Sequence, residues 1–447
     1  MKLQSYRFVL WVAMSLALGL ELRAEETKEG ETNNTAGSEP IDLQHALSGD
    51  DSVRTVTDKR RFALAFDGYL RTELGTFWPG RFFGVKTDAS DQTRRNPNIG
   101  YSDGFALADA RLNLRGKLAD TLYVRLGFDG AVASYNDAES SNAALITGLK
   151  DAYMSYKICD SCEFFVGRFK PPFDSEELTP LEEQQFVHRS LESRGVLRHE
   201  GPAGTTFLNT NNTGFAPGRQ NGVMISGKNI ITLGDDSGLN YALAVTNGNG
   251  GDSRLNDNDL PAVWGRLALA WGQETKSGTV MDEEGPATYQ KNSAGMIGLS
   301  GFYNEITTGN APNQFRDQLI GAGVDMSMQI SMVQLQGQIL GLRSHNLTLS
   351  REDAIYALGG HTQVAITLGD SGLSPGYRFA YLDPHIGKND DGGATDQDRV
   401  MHHTLGMKYQ CPEWPMIMYL EYTRSIEQAG RQTPNDRVEA ALQVNFE

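Results

Sequence analysis

The chain has 447 residues, with 56 Asp and Glu against 40 Lys and Arg, for a net charge of -16. Nothing forms a basic stripe, which argues against nucleic acid as a partner. A hydrophobic share of 39% suits a soluble protein, and it equally suits a membrane barrel, where only every second strand residue meets lipid.

Lys2 and Arg7 flank the start of a short apolar run, Phe8 to Leu20, and Leu22-Arg23-Ala24 offers a small residue for cleavage. Residues 1–24 therefore read as a secretory signal peptide, too short to span a membrane as a helix. No Cys follows the cleavage region, so no lipoprotein anchor is expected. After Ala24 no apolar stretch approaches the roughly 18 residues of a helical span. Residues 25–58 are polar, acidic and rich in Gly, Thr and Asn, and read as a flexible periplasmic leader.

From about Arg61 the pattern takes a period of two, and residues 59–447 read as one transmembrane barrel. In Phe105–Leu118, Ala106, Ala108, Ala110, Leu112, Leu114 and Leu118 form one face, and Asp109, Arg111, Asn113, Arg115 and Lys117 the other. Alternate strand residues point to opposite faces, so this is one apolar and one charged wall. Leu122–Asp129, Asp151–Ile158, Ile320–Met326, Val333–Ile339 and Val438–Phe446 repeat the rule. Short connections near Ala119, Asp160, Gly234, Gln329, Gly369 and Glu413 alternate with long ones. Gln273–Lys291 is the exception, long where a short turn is due. The count is about sixteen strands, an even number with short turns on one side and long loops on the other, as bacterial barrels require. A soluble β-sandwich would also alternate. The long runs, the charged polar face, the export signal and the closing amphipathic strand with Phe446 favour an all-β, antiparallel transmembrane barrel.

The stretch VGRFKPPFDSEELTPLEEQQFVHRSLES, followed by FAPGRQNGVMISG, resembles the phosphate-selective porin O and P family. The elements that carry the resemblance are Gly167, Phe169, Lys170, Pro172 and Phe173, then Glu176, Glu177 and Leu178. Phe186, Arg189 and Ser190 follow, then Ala216, Pro217, Gly218, Arg219, Gly222 and Val223. The resemblance implies an outer-membrane porin: a sixteen-stranded homotrimeric barrel in the lipid of a Gram-negative outer membrane. It also implies a long third loop folded into the lumen and an anion-attracting pore. Pro171–Pro217 is the longest loop and holds the third position. His188 stands where the family usually has an acid, about twenty residues (Gly195–Gly214) interrupt the loop, and Glu447 follows the terminal aromatic.

The expected pore-lining, anion-binding residues are Arg111, Arg115, Arg168, Lys170, Arg189 and Arg219. Arginine suits phosphate because its planar fork donates paired hydrogen bonds. Carboxylates on the same faces, among them Asp67, Glu73, Asp109, Asp129, Asp151 and Asp325, could instead pair with these cations and brace the wall. Small anions such as phosphate or polyphosphate are thus the expected solutes, with a plugged structural or adhesive barrel as the alternative. No catalytic, metal or cofactor motif is present, and no cofactor is expected. His361, His402 and His403 leave a barrel-embedded hydrolase formally open. The acidic stretches Asp252–Asp259 and Asp390–Asp398 lack the EF-hand register. Cys159-x-x-Cys162 lies between strand-like runs and reads as a turn disulfide or free thiols.

Overall fold

The computed structural model describes residues 63–446, apart from 79–103, 120, 131–147, 160, 196–213, 234–236, 249–259, 273–292, 309–314, 348–353, 385, 387–398 and 428–435. The signal peptide, the leader and the two acidic stretches thus lie outside the described residues. Eight strands lead to the middle of the chain: β1 (Ala63–Trp78), β2 (Gly104–Ala119), β3 (Leu122–Asp129), β4 (Gly148–Cys159), β5 (Cys162–Phe169), β6 (Gln220–Thr232), β7 (Ser237–Thr246) and β8 (Ala262–Trp271). Eight more complete it: β9 (Ser293–Thr308), β10 (Phe315–Ile330), β11 (Val333–Asn346), β12 (Ile355–Ile366), β13 (Leu373–Asp383), β14 (Val400–Gln410), β15 (Met416–Glu427) and β16 (Asp436–Phe446). Each pairs antiparallel with its neighbours in sequence, and β16 pairs with β1 to close the barrel. Closure leaves no unpaired strand edge, which a lipid environment requires.

The short turns fall where the sequence places them, as do the alternating faces of β3, β4, β10, β11 and β16. Outside, Phe66, Leu70, Leu112, Met154, Ile339 and Leu405 are exposed to the surroundings of the barrel. Inside, Arg71, Arg111, Asn113, Arg125, Asp151, Arg266 and Asp325 are buried. One expectation fails in β2. Arg71 pairs with Asp109 but Thr72 with Leu107, so Ala108 is an extra residue. A bulge of this kind reverses the alternation. Ala106 therefore stands opposite inward Glu73, while Leu107 and Phe105 take the exposed face.

The inner wall is not uniformly polar. In β8 the inward residues Ala262, Trp264, Ala268 and Ala270 are buried while outward Val263 and Leu267 are exposed, so apart from Arg266 both faces are apolar. Leu319, Leu340, Leu342 and Leu382 extend this buried apolar surface across β10, β11 and β13. Apolar groups on a wet inner wall would waste burial, so something covers them.

At the seam, Phe446 stands opposite Gly68. A Cβ on Gly68 would lie 2.1 Å from the Arg111 carbonyl oxygen and 2.6 Å from the Phe446 ring. The glycine lets the aromatic lie flat against β1.

Candidate functional site

The chain between β5 and β6 covers the apolar inner wall. Asp174, with φ 62, caps a single helical turn, α1 (Ser175–Leu178), by accepting from the Glu176 and Glu177 amides at 3.2 and 3.3 Å. A 3-10 turn follows over Leu181–Glu183, opened by Pro180. A second turn, α2 (Leu191–Arg194), stops at Gly195, whose φ of 76 only glycine adopts freely. The chain returns through Phe215, whose amide donates to the Glu192 carbonyl at 2.7 Å, and Ala216, which donates to the Ser193 carbonyl at 3.2 Å. The segment 196–213 thus leaves and re-enters at a closed neck; its own placement, most of the sequence-predicted insertion, lies outside the described residues.

Phe173 is the apolar anchor. Its ring meets Phe302 edge-on at 4.8 Å, and Phe302 stacks on Trp264 at 4.7 Å. Leu191 and Phe215 join the same buried cluster, with Leu178 packed at its margin. Polar contacts carry the segment further round the ring. Lys408 Nζ donates to the Gln184 carbonyl at 3.0 Å, and Gln185 donates to the Ser374 carbonyl at 2.6 Å. The Val187 amide donates to Glu421 at 2.8 Å, and the Val187 carbonyl accepts from Arg71. Arg378 donates to the His188 carbonyl at 2.9 Å and lies over the Phe186 ring at 4.5 Å. His188 Nε2 lies 2.9 Å from Glu439, with Glu73 3.9 Å away.

Gln338 on β11 is the hub of the most buried part. Its amide nitrogen meets Asp174 Oδ1 at 2.9 Å, Glu192 Oε1 at 3.0 Å and Ser193 Oγ at 2.9 Å. His361 on β12 pairs through Nδ1 with Glu192. Burial pushes the Asp174 carboxyl up to about 7, with Glu176 adding to the rise. Burial opposes the charge on Glu192 as well, but His361 beside it holds that carboxyl below its ordinary value. Burial would lower the His188 imidazole, yet Glu439 and Glu73 outweigh it and raise the value.

The six sequence-predicted cations are not brought together. Arg111 and Arg115 face inward on β2, Arg111 with its guanidinium 5.7 Å from the Tyr69 ring centre and Arg115 2.9 Å from Asp67. Arg219 forks onto both oxygens of Asp151 at 2.7 and 2.9 Å. Lys170 donates to the Glu177 carbonyl at 2.8 Å, and Arg189 pairs with Glu177 at 2.6 Å, so both brace the β5–β6 segment itself. Arg168 corrects the expectation. It stands opposite Ala152 and Asn221, on the face of exposed Val166 and Val223, while Phe165 and Phe169 point inward. Gln338 and Arg378 carry no motif and were missed from the sequence; Glu192, within the family-like stretch, was given no role, and His361 was considered only as a hydrolase residue. The signal that could have found them is apolar inward positions such as Trp264, Leu340 and Leu342.

Residues 83–250 match the family model described as phosphate-selective porin O and P. No curated protein matches the chain. Several solved porins share the fold at low identity. An anion-selective porin from Comamonas acidovorans is 14% identical with a TM-score of 0.50, over 86% of this chain and 100% of that one. A Salmonella typhi OmpF complex with daunomycin is 13% identical with a TM-score of 0.51, over 86% of this chain and 97% of that one. OmpT of Vibrio cholerae in its trimer form is 10% identical with a TM-score of 0.50, over 86% and 99%. The chain thus folds as a closed, sixteen-stranded antiparallel barrel like those of solved porins, and residues 83–250 of it are similar to the phosphate-selective porin O and P family.

Proposed function

We propose that this barrel is a passive diffusion channel for small solutes that prefers anions, phosphate-like anions among them. The β5–β6 segment crosses the lumen and sets its smallest cross-section. Its contacts concentrate on β8 to β16, which leaves the passage along β2 to β4. The observation that carries the anion preference is on that wall: Arg115 and Arg125 stand directly opposite each other, both inward. Like charges so placed cost stability. In a narrow, low-dielectric passage their fields also add, and focusing there outweighs the net charge of the whole chain. Arg111 extends the positive surface, opposite Asp129. Three copies side by side, as in the trimer form of the Vibrio cholerae porin, are the assembly this reading adopts.

Reversal potentials across a bilayer in a KCl gradient test the proposal. The wild-type channel is expected to favour chloride, and Arg115→Ala with Arg125→Ala to lose most of that preference while still conducting. Cation selectivity, or a preference unchanged in the double variant, would remove the anion assignment. The buried β5–β6 segment also fits a plugged barrel with a structural or adhesive role; absence of any conductance by the purified protein would favour that reading instead.

A further inference from the structure

The contacts beneath α2 fall short of protons. Ser190 Oγ lies 2.7 Å from Glu192 Oε1 and also contacts Glu176 Oε2. A hydroxyl has one proton, so it serves only one of those carboxylates, while the Ser190 amide donates to Glu176 Oε2 at 2.7 Å. The Gln338 amide has two N–H groups but three acceptors within reach. Glu192 is fully buried, and its Oε2 finds no partner among the described residues; the same holds for Nε2 of buried His361. Glu176 meets Arg378 at 3.3 Å, and Glu177 has Arg189, whereas Glu192 faces the imidazole. A fully buried carboxylate with one oxygen unpartnered, close to a second carboxylate and an imidazole, suits a further positive species between them.

We propose that Glu176, Glu192 and His361 form a divalent transition-metal site of the Zn²⁺ class, which fastens the β5–β6 segment to β12. One ligand atom from each lies within 4.8 Å of the other two. Ligands about 2.1 Å from an ion sit roughly 3.4 Å apart in a tetrahedron, so small rotations of two glutamate side chains suffice. Two carboxylates and an imidazole select Zn²⁺ or Mn²⁺ over Ca²⁺, which prefers an all-oxygen shell of six or more. Ser190 Oγ, already in contact with both glutamates, supplies a neutral fourth ligand. Two carboxylates match the two charges of the ion, with Glu176 shared between it and Arg378. Glu176 and Glu192 stand on opposite sides of the 3-10 turn, and the ion ties both halves of the segment to one strand of the wall. The site does not depend on the channel's selectivity.

The test uses untagged, folded, chelator-treated protein in detergent, titrated with Zn²⁺ and, separately, Mn²⁺ and Ca²⁺, with metal content read by elemental analysis. One Zn²⁺ per chain is expected, with Ca²⁺ much weaker. His361→Ala and Glu192→Gln are expected to weaken Zn²⁺ by roughly a hundredfold or more, and His402→Ala, on β14 two strands away, to leave it unchanged. Heat-modifiable migration checks that each variant remains a barrel. The wild-type protein loaded with Co²⁺ gives a reading independent of any variant, since imidazole and carboxylate ligation produce visible bands of low-coordinate cobalt. No stoichiometric Zn²⁺ uptake, uptake indifferent to His361→Ala, or a Co²⁺ spectrum of the hydrated ion would overturn the proposal. In that case a proton supplies the missing charge.

Discussion

At the residue scale, the interior is held by charges that neutralise one another at short range. Arg266 on β8 forks onto Asp325 on β10 at 2.6 and 2.7 Å, with both side chains almost fully buried. The pair reaches across β9 at Gly298, where an added Cβ would lie 2.4 Å from Arg266 Nη2. Glycine is the residue that leaves this room. Removing one member of such a pair strands the other charge. Asp325→Ala is expected to lower the unfolding free energy by about 3–5 kcal/mol, and adding Arg266→Met to recover most of it; urea titration in lipid vesicles checks both. His188 supplies a second residue-scale prediction. Its folded value is raised above that of the unfolded chain. Its contribution is therefore complete at pH below the unfolded value and is lost as pH rises through the raised folded value. The stability difference between wild type and His188→Gln is expected to be largest in mild acid and to shrink on the alkaline side of neutrality. A difference that grows with pH would contradict the Glu439 and Glu73 contacts as the cause.

At the scale of elements, the described parts of the β5–β6 segment pack on inward residues of the wall and meet at a hydrogen-bonded neck. Phe215 and Ala216 close the neck on Glu192 and Ser193, and a Cβ on Gly214 would lie 2.2 Å from the Ser193 carbonyl oxygen. Deletion of residues 196–213, with the neck rejoined, is expected to leave the barrel folded and heat-modifiable. Its single-channel conductance then reports whether that stretch enters the passage: a changed value is expected, and an identical one excludes it. The strands were legible in the sequence because lipid outside and polar groups inside impose a period of two on residues such as Arg125, Asp151, Ile320 and Gln338. Two things were not. The bulge at Ala108 reverses the faces of Ala106 and Leu107 without any turn residue to mark it. Arg168 follows Gly167, with φ 132, and shares its face with Val166, so assigning it from charge alone placed it on the wrong wall. The Gln338 hub was invisible for another reason: its partners are more than 140 residues away in sequence and meet only when the barrel closes.

For the molecule as a whole, closure rests on the β1–β16 seam. Eleven residue pairs join the two strands, from Gly68–Phe446 to Trp78–Asp436. Phe446 is part-exposed on the apolar side, over Gly68, where an aromatic suits the boundary between hydrocarbon and water. Phe446→Asp is expected to reduce outer-membrane yield severalfold, as measured by heat-modifiable protein in the membrane fraction; equal yield would deny the ring a part in closure.

The apolar patch on the inner wall also bears on the order of events during assembly. Trp264, Phe302, Leu340 and Leu382 share a buried cluster with Phe173, Leu191 and Phe215, and all four follow those residues in the chain. Until the two groups meet, Arg266 is the one charge on the inward face of β8, and its other inward residues, Ala262, Trp264, Ala268 and Ala270, are as apolar as the outward ones. The β5–β6 segment gives those inward residues their apolar surface, so a chain lacking Phe173, Leu191 and Phe215 would close around a bare greasy patch.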